Sequence, residues 1–182
     1  MHLLFQIRGD FNMETMDAIK RRRSIRKYTS QPIDEDELIP LIRAAMYAPS
    51  AGNQQPWEFI LIDDNDLLEE FAIKHSNAHM LSEAPAAVLI CGDLSRLKHD
   101  KFWVQDCAAA CQNFLLAAHD RGLATCWVGV YPRENRVSDI RKMLNLPDQI
   151  VPFSLIPVGK PAETLPVPDR FDSSRIHKNN WK

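Results

Sequence analysis

Glycine is scarce in this sequence, six residues in 182, and none of them builds a glycine-rich loop between a strand and a helix. Such a loop lets backbone amides approach a pyrophosphate or triphosphate closely, so a Rossmann-type dinucleotide site and a P-loop are both excluded. Cysteine is sparse as well. Cys91, Cys107, Cys111 and Cys126 form no Cys-x-x-Cys pair, which argues against a zinc knuckle and a redox dithiol. All four lie in apolar stretches and are expected to be buried free thiols, a usage that suits the cytoplasm. Nor is there an excess of one charge. With 22 Lys and Arg against 24 Asp and Glu, the net charge is -2, so no nucleic acid and no membrane partner is expected from bulk electrostatics. Any anion must be held by a local cluster, and the ligand is expected to be small. The acidic run Asp34 to Glu37 lacks the twelve-residue ligand spacing of a calcium loop and suits helix capping better, and no metal site is expected.

The opening segment, Met1 to Phe11, has an apolar start but no basic front and no small-residue cleavage site, and it is too short to span a bilayer. Residues 1–12 are therefore expected to be an N-terminal extension, with Met13 a candidate natural start. Residues 13–182 are expected to form one domain, since 45% hydrophobic residues leave ample material for a core.

The spacing predicts alternating helices and strands. Asp34 and Glu37 stand at capping-box spacing before a helical run of Leu38, Ile39, Leu41, Ile42, Ala45 and Met46. Strands are predicted over Trp57 to Ile62, Ala86 to Cys91, Leu123 to Val128 and Phe153 to Val158, with a helix around Leu67 to His75 and another over Glu134 to Leu144. The longest helix is expected from about Lys101 to Arg121, where Trp103, Cys107, Ala110, Cys111, Phe114, Leu115 and Ala118 form a wide apolar stripe. The class is α+β. From about residue 160 the prolines Pro161, Pro166 and Pro168 forbid regular structure and predict an extended tail.

Two segments carry chemistry. The first is Arg21-Arg22-Arg23-Ser24-Ile25-Arg26-Lys27, at the end of an N-terminal helix. Guanidinium forks hold phosphate in a bidentate manner and a serine hydroxyl adds a neutral bond, although a solvated basic face or a nucleic-acid patch has the same composition. The second is the loop Ala48-Pro49-Ser50-Ala51-Gly52-Asn53-Gln54-Gln55-Pro56. Its side-chain amides can both donate to and accept from the edge of a flat heterocycle, and an ordinary helix-to-strand connection is the alternative.

The order of these segments, Ala18-Ile19-Lys20-x-Arg22-Arg23-Ser24-Ile25-Arg26-Lys27-Tyr28 and then Ala48-Pro49-Ser50-Ala51-x-Asn53-x-Gln55-Pro56-Trp57-x-Phe59, resembles the opening of the nitroreductase family. The likeness continues through Ala117-Ala118-x-x-x-Gly122-Leu123-Ala124-Thr125-Cys126-Trp127-Val128-Gly129 and Val158-Gly159-Lys160-Pro161. The resemblance implies a nitroreductase-like fold, with a central, mainly antiparallel sheet flanked by helices, in an intertwined homodimer that holds FMN at the interface. It implies that Arg22, Arg23 and Ser24 approach the FMN phosphate and ribityl chain, that Arg26 reaches the pyrimidine end of the ring, and that the partner's Pro49, Ser50, Ala51 and Asn53 cover it. Asn77 matches a position that touches the pyrimidine in some members, the Val128 and Gly129 backbone passes beside N5, and Arg170 matches a late phosphate contact, with Lys160 as the alternative. Many members carry an acid where Val128 stands, so a side-chain role there is not carried over.

The implied activity is transfer of hydride from NADH or NADPH, through N5, to a small-molecule electron acceptor such as a nitroaromatic or quinone, by a ping-pong mechanism without a side-chain acid or nucleophile. The rival readings are an FMN-binding or sensing protein without useful turnover, a flavin-fragmenting or dehalogenating specialist of the same fold, and a nucleic-acid binder.

Overall fold

The computed structural model describes residues 14–181, so the expected extension over residues 1–12 lies outside the described residues. Helix α1 (Thr15–Arg21) leads through the basic run to α2 (Glu35–Met46). Strand β1 (Trp57–Ile62), helix α3 (Asn65–Lys74) and strand β2 (Ala86–Asp93) follow. Helix α4 (Trp103–Asp120) then gives way to two short strands, β3 (Ala124–Thr125) and β4 (Val128–Gly129). Helix α5 (Glu134–Met143) and strand β5 (Ile150–Gly159) complete the regular elements.

The sheet runs β1-β2-β5-β3, with β4 also paired to β5, and all of these pairings are antiparallel. The α+β class with helices flanking an antiparallel sheet is therefore observed. Both faces of β2 are covered, and all eight of its residues are buried. One core cluster lies between the sheet and α2 and α4, with Leu41, Phe114 and Ile156 at 0% exposure, and the other packs Phe71, Leu89 and Leu155 against α3 and α5.

Three expectations differ from the structure in detail. The single strand expected over Leu123 to Val128 is two strands, interrupted at Cys126 and Trp127. Ala124 opposes Gly159, Thr125 opposes Val158, Val128 opposes Leu155 and Gly129 opposes Ser154, so one register persists across the gap. The last strand, Ile150–Gly159, is longer than the predicted Phe153 to Val158 and takes in Pro152 near its start. Pro152 sits opposite Cys91, where the β2–β5 ladder shifts register, so the irregularity accommodates a residue that cannot donate. The capping box does not form: Asp34 is the N-cap of α2 without a side-chain bond, and Glu37 Oε1 instead accepts from Lys160 Nζ at 2.6 Å.

Beyond Gly159 the chain is extended, with one short 3-10 turn at Ser173–Arg175. Its first residues pair with the basic segment: Thr29 N donates to Lys160 O, and Ala162 N donates to Lys27 O. All four cysteines are free and buried. Burial pushes the Cys91 thiol up to about 12, and Cys107 and Cys111 higher still. No helix among the described residues is long and apolar enough to cross a membrane.

Candidate functional site

The basic run leaves α1 and crosses the edge of the sheet, where Ser24 bridges Thr125 of β3 in parallel and Ile25 N donates to Thr125 O at 3.0 Å. Alternate side chains therefore point to opposite sides, and the arginines separate. Arg22 is partly buried, and burial first, then the charges of Arg23 and Arg170, lowers its pKa from the ordinary value. The tail thus returns a third guanidinium to the end of α1.

Arg23 is differently employed. Its Nε donates to Pro166 O at 3.0 Å, one terminal nitrogen donates to Lys20 O at 2.6 Å, and the other to Arg22 O. It clamps the tail to the end of α1. Ser24 hydrogen-bonds the Cys126 thiol, whose pKa is raised by burial against the opposing effects of Arg26, that bond and Arg22.

Arg26, Asn77, Val128 and Gly129 come from three distant stretches of chain and line one cavity of about 540 Å³. Arg26 Nη1 reaches Ser24 O at 3.3 Å, and its backbone amide donates to Glu163 Oε1 at 2.7 Å, which fixes the segment against the tail. A Cβ built on Gly129 would meet nothing within 4 Å, so the strand offers its backbone to open space. Tyr131 and Trp127 add aromatic surface to the lining; Trp103 meets Tyr131 edge-on at 4.8 Å, and Phe153 meets Trp127 at 5.7 Å.

Pro49, Ser50, Ala51 and Asn53 line no part of this cavity within one chain. Ala51–Asn53 form a short 3-10 turn after α2, entered through extended Ser50, with positive φ at Gly52 (54°) and Asn53 (53°). Ser50 Oγ accepts from Gln55 N at 3.1 Å, and Asn53 Oδ1 accepts from Gln55 Nε2 at 3.1 Å.

What fixes this turn is a residue that the motif reading overlooked. Asp106 of α4 is only 5% exposed, and its carboxylate accepts from Ala51 N at 2.9 Å and from Gln54 Nε2 at 2.6 Å. Gln54, equally buried, spends its own carbonyl on Lys98 N and His99 N, both at 3.0 Å. The signal was present in the sequence, since Asp106 sits among Trp103, Cys107 and Ala110 on the buried face of α4. Arg136, 6% exposed, is the other functional candidate that went unmarked; its Nη1 donates to Gly129 O at 2.7 Å. Helix α5 has a weak apolar face, so nothing in its pattern singled Arg136 out.

The family model described as "Nitroreductase family" matches residues 19–92 and 72–160. The chain belongs to the nitroreductase family. A Methanothermobacter thermautotrophicus protein named "Putative NADH dehydrogenase/NAD(P)H nitroreductase" is 45% identical over 169 residues, covering 93% of this chain and 88% of that one. A crystal structure under the same name from Parabacteroides distasonis superposes with a TM-score of 0.88 at 39% identity, over 93% of this chain and 100% of that one. An FMN-dependent nitroreductase from Clostridium difficile gives 0.83 at 28% identity, over 91% and 99%. Of the cavity lining, Arg26 and Cys126 to Gly129 lie in the stretches that carried the sequence resemblance, as does Arg22 of the arginine cluster.

The Asp106 contacts can be tested directly. Asp106→Ala leaves the Ala51 amide and the Gln54 amide without their charged acceptor, and bonds to charged groups contribute about 1.5–3 kcal/mol each. The variant should lose about 3 kcal/mol of unfolding free energy in urea, and a loss below about 1 kcal/mol would show that the turn is held by other contacts.

Proposed function

We propose that this nitroreductase-family protein is an FMN-dependent oxidoreductase that passes hydride from NADH or NADPH to electron-poor acceptors. The observation that carries the reading is the 540 Å³ cavity that Arg26, Asn77, Val128 and Gly129 share, with Arg22, whose charge acts on Cys126 of the same lining, close to Arg170. The donor set suits FMN: fixed cations for a phosphate dianion, a cation and an amide for a pyrimidine edge, and exposed backbone beside a glycine for the ring. The names of relatives point the same way, an FMN-dependent nitroreductase among the structures and NAD(P)H nitroreductases among the sequences.

The chemistry supplied by bound FMN is two-electron hydride transfer between the nicotinamide and the acceptor. The chain's own residues bind and orient. Arg22, Ser24 and Arg170 would hold the phosphate, Arg26 and Asn77 would serve the pyrimidine edge, where the cation would favour negative charge, and the Val128–Gly129 backbone would line the ring. Arg23 belongs to this region as a strut, because its donors are engaged by backbone carbonyls. Lys160 is paired with Glu37, which favours Arg170 as the late phosphate contact.

The reading includes a homodimer. Pro49, Ser50, Ala51 and Asn53 cannot cover a cavity that they do not line, so they act on the flavin of a second chain. Met16 and Ile19 on α1, and Phe171, Ile176 and Trp181 on the tail, are 48% to 86% exposed, an apolar surface that a second copy would cover. The buried free thiols suit a reducing compartment such as the cytoplasm.

The purified protein is expected to be yellow and to bleach with NADH or NADPH, and initial-rate plots against a quinone or nitroaromatic should give parallel lines. A yellow protein that nicotinamide leaves unbleached would favour a binding or sensing role, and intersecting lines would mean that both substrates bind together. Loss of a charge-assisted phosphate contact costs about 1.5–3 kcal/mol, so Arg22→Ala should weaken FMN about ten- to a hundredfold while riboflavin changes little. Equal weakening of the two flavins would remove Arg22 from the phosphate. Mixing Arg26→Ala subunits with Asn53→Ala subunits should restore activity through heterodimers that carry one intact site; heterodimers without recovery would assign the whole site to one chain.

A further inference from the structure

Arg136 is 6% exposed, and its one side-chain hydrogen bond among the described residues goes to the carbonyl of Gly129. A buried guanidinium needs more than one neutral acceptor to offset what it loses on leaving water. Its nearest charged influence is no help: burial, and then the charge of Arg133, lowers its pKa from the ordinary value. Arg133, Arg136, Arg26 and His79 all line the 540 Å³ cavity, and its lining contains no aspartate or glutamate. Glu134 and Asp139, the acids of α5, are not part of that lining. The cavity therefore joins braced aromatic walls, Trp127 and Tyr131, to a carboxylate-free cationic end.

We propose that Arg133 and Arg136 form an anion site beside the reactive strand, and that the acceptor class is a planar conjugated compound bearing a carboxylate. The inference rests on the cavity being the flavin site. Arg26 is assigned to the pyrimidine edge and the Arg22–Arg170 cluster to the FMN phosphate, which leaves the α5 pair without an anion. The carboxylate belongs to the acceptor rather than to the nicotinamide dinucleotide. Arg136 touches the carbonyl of Gly129 itself, whereas the pyrophosphate of the dinucleotide is separated from the nicotinamide ring by a ribose and lies away from a strand that faces the reacting ring. A substituent carried directly on a flat acceptor would share the cavity that both guanidinium groups line, and a guanidinium fork matches a carboxylate in shape.

The test compares 4-nitrobenzoate with its neutral isostere 4-nitrobenzamide by titration calorimetry. The nitrobenzoate should bind at least tenfold more tightly, and the preference should shrink as sodium chloride is raised. Arg133 is exposed, so Arg133→Gln should fold normally and bring the two ligands to within about threefold of each other, while Arg133→Lys should keep part of the difference. In turnover the wild-type preference should appear in KM and leave kcat alike for the two compounds. Equal binding by the wild type, or an undiminished preference in Arg133→Gln, overturns the proposal. So does a variant whose KM rises for NAD(P)H alone, since the cations would then serve the dinucleotide. The titration uses protein saturated with FMN, so that Arg22, Arg170 and Arg26 are not open to the carboxylate; a preparation that takes up no FMN fails the flavin reading, whereas a yellow one without anion selection fails this proposal alone.

Discussion

Strand β5 is hydrogen-bonded on both sides, to β2 along one edge and to β3 and β4 along the other, and this double pairing fixes where the chemistry can be. The edge shared by β3 and β4 sets Thr125 opposite Val158 and Gly129 opposite Ser154. Thr125 in turn captures Ser24, and the residues that leave the end of β5 capture Lys27 and Thr29. Three pieces of chain far apart in sequence are thus placed by reference to one strand. Eight of its ten residues are buried, so shifting it by one position would turn the apolar faces of Leu155 and Ile156 into each other's environments.

Much of this was legible. Helix α4 could be read from its apolar stripe and β1 to the residue, whereas the antiparallel sheet came with the family resemblance. The basic run and the Pro49–Asn53 loop stood out because each combines residue types that are expensive to place without a purpose, and their joint spacing carried the family. Less legible were features that depend on a partner supplied by the fold. Glu37 reads as a capping residue until Lys160 arrives across 123 positions of sequence. Arg23 reads like its neighbours until the carbonyl of Pro166 is there to engage it. Pro152 argues against a strand until the opposing register is seen to slip.

Asp106 and Arg136 illustrate two ways to bury a charge. The carboxylate is met by a backbone amide and a side-chain amide whose own oxygen is also satisfied, so the group is closed on itself and rigidifies the turn it holds. The guanidinium is met by one carbonyl and faces a cavity. A closed network specifies shape, and an open one leaves electrostatic potential available to whatever enters.

The four cysteines bear on durability. Sulfur is attacked by peroxide as thiolate and hardly at all as thiol. Burial raises the Cys91, Cys107 and Cys111 thiols well above their ordinary range, which disfavours the thiolate. Cys126 lines the cavity itself, yet it too is raised by burial, despite two nearby guanidiniums that act in the opposite direction. Burial thus keeps all four thiols, the one at the cavity included, in their less reactive protonated form.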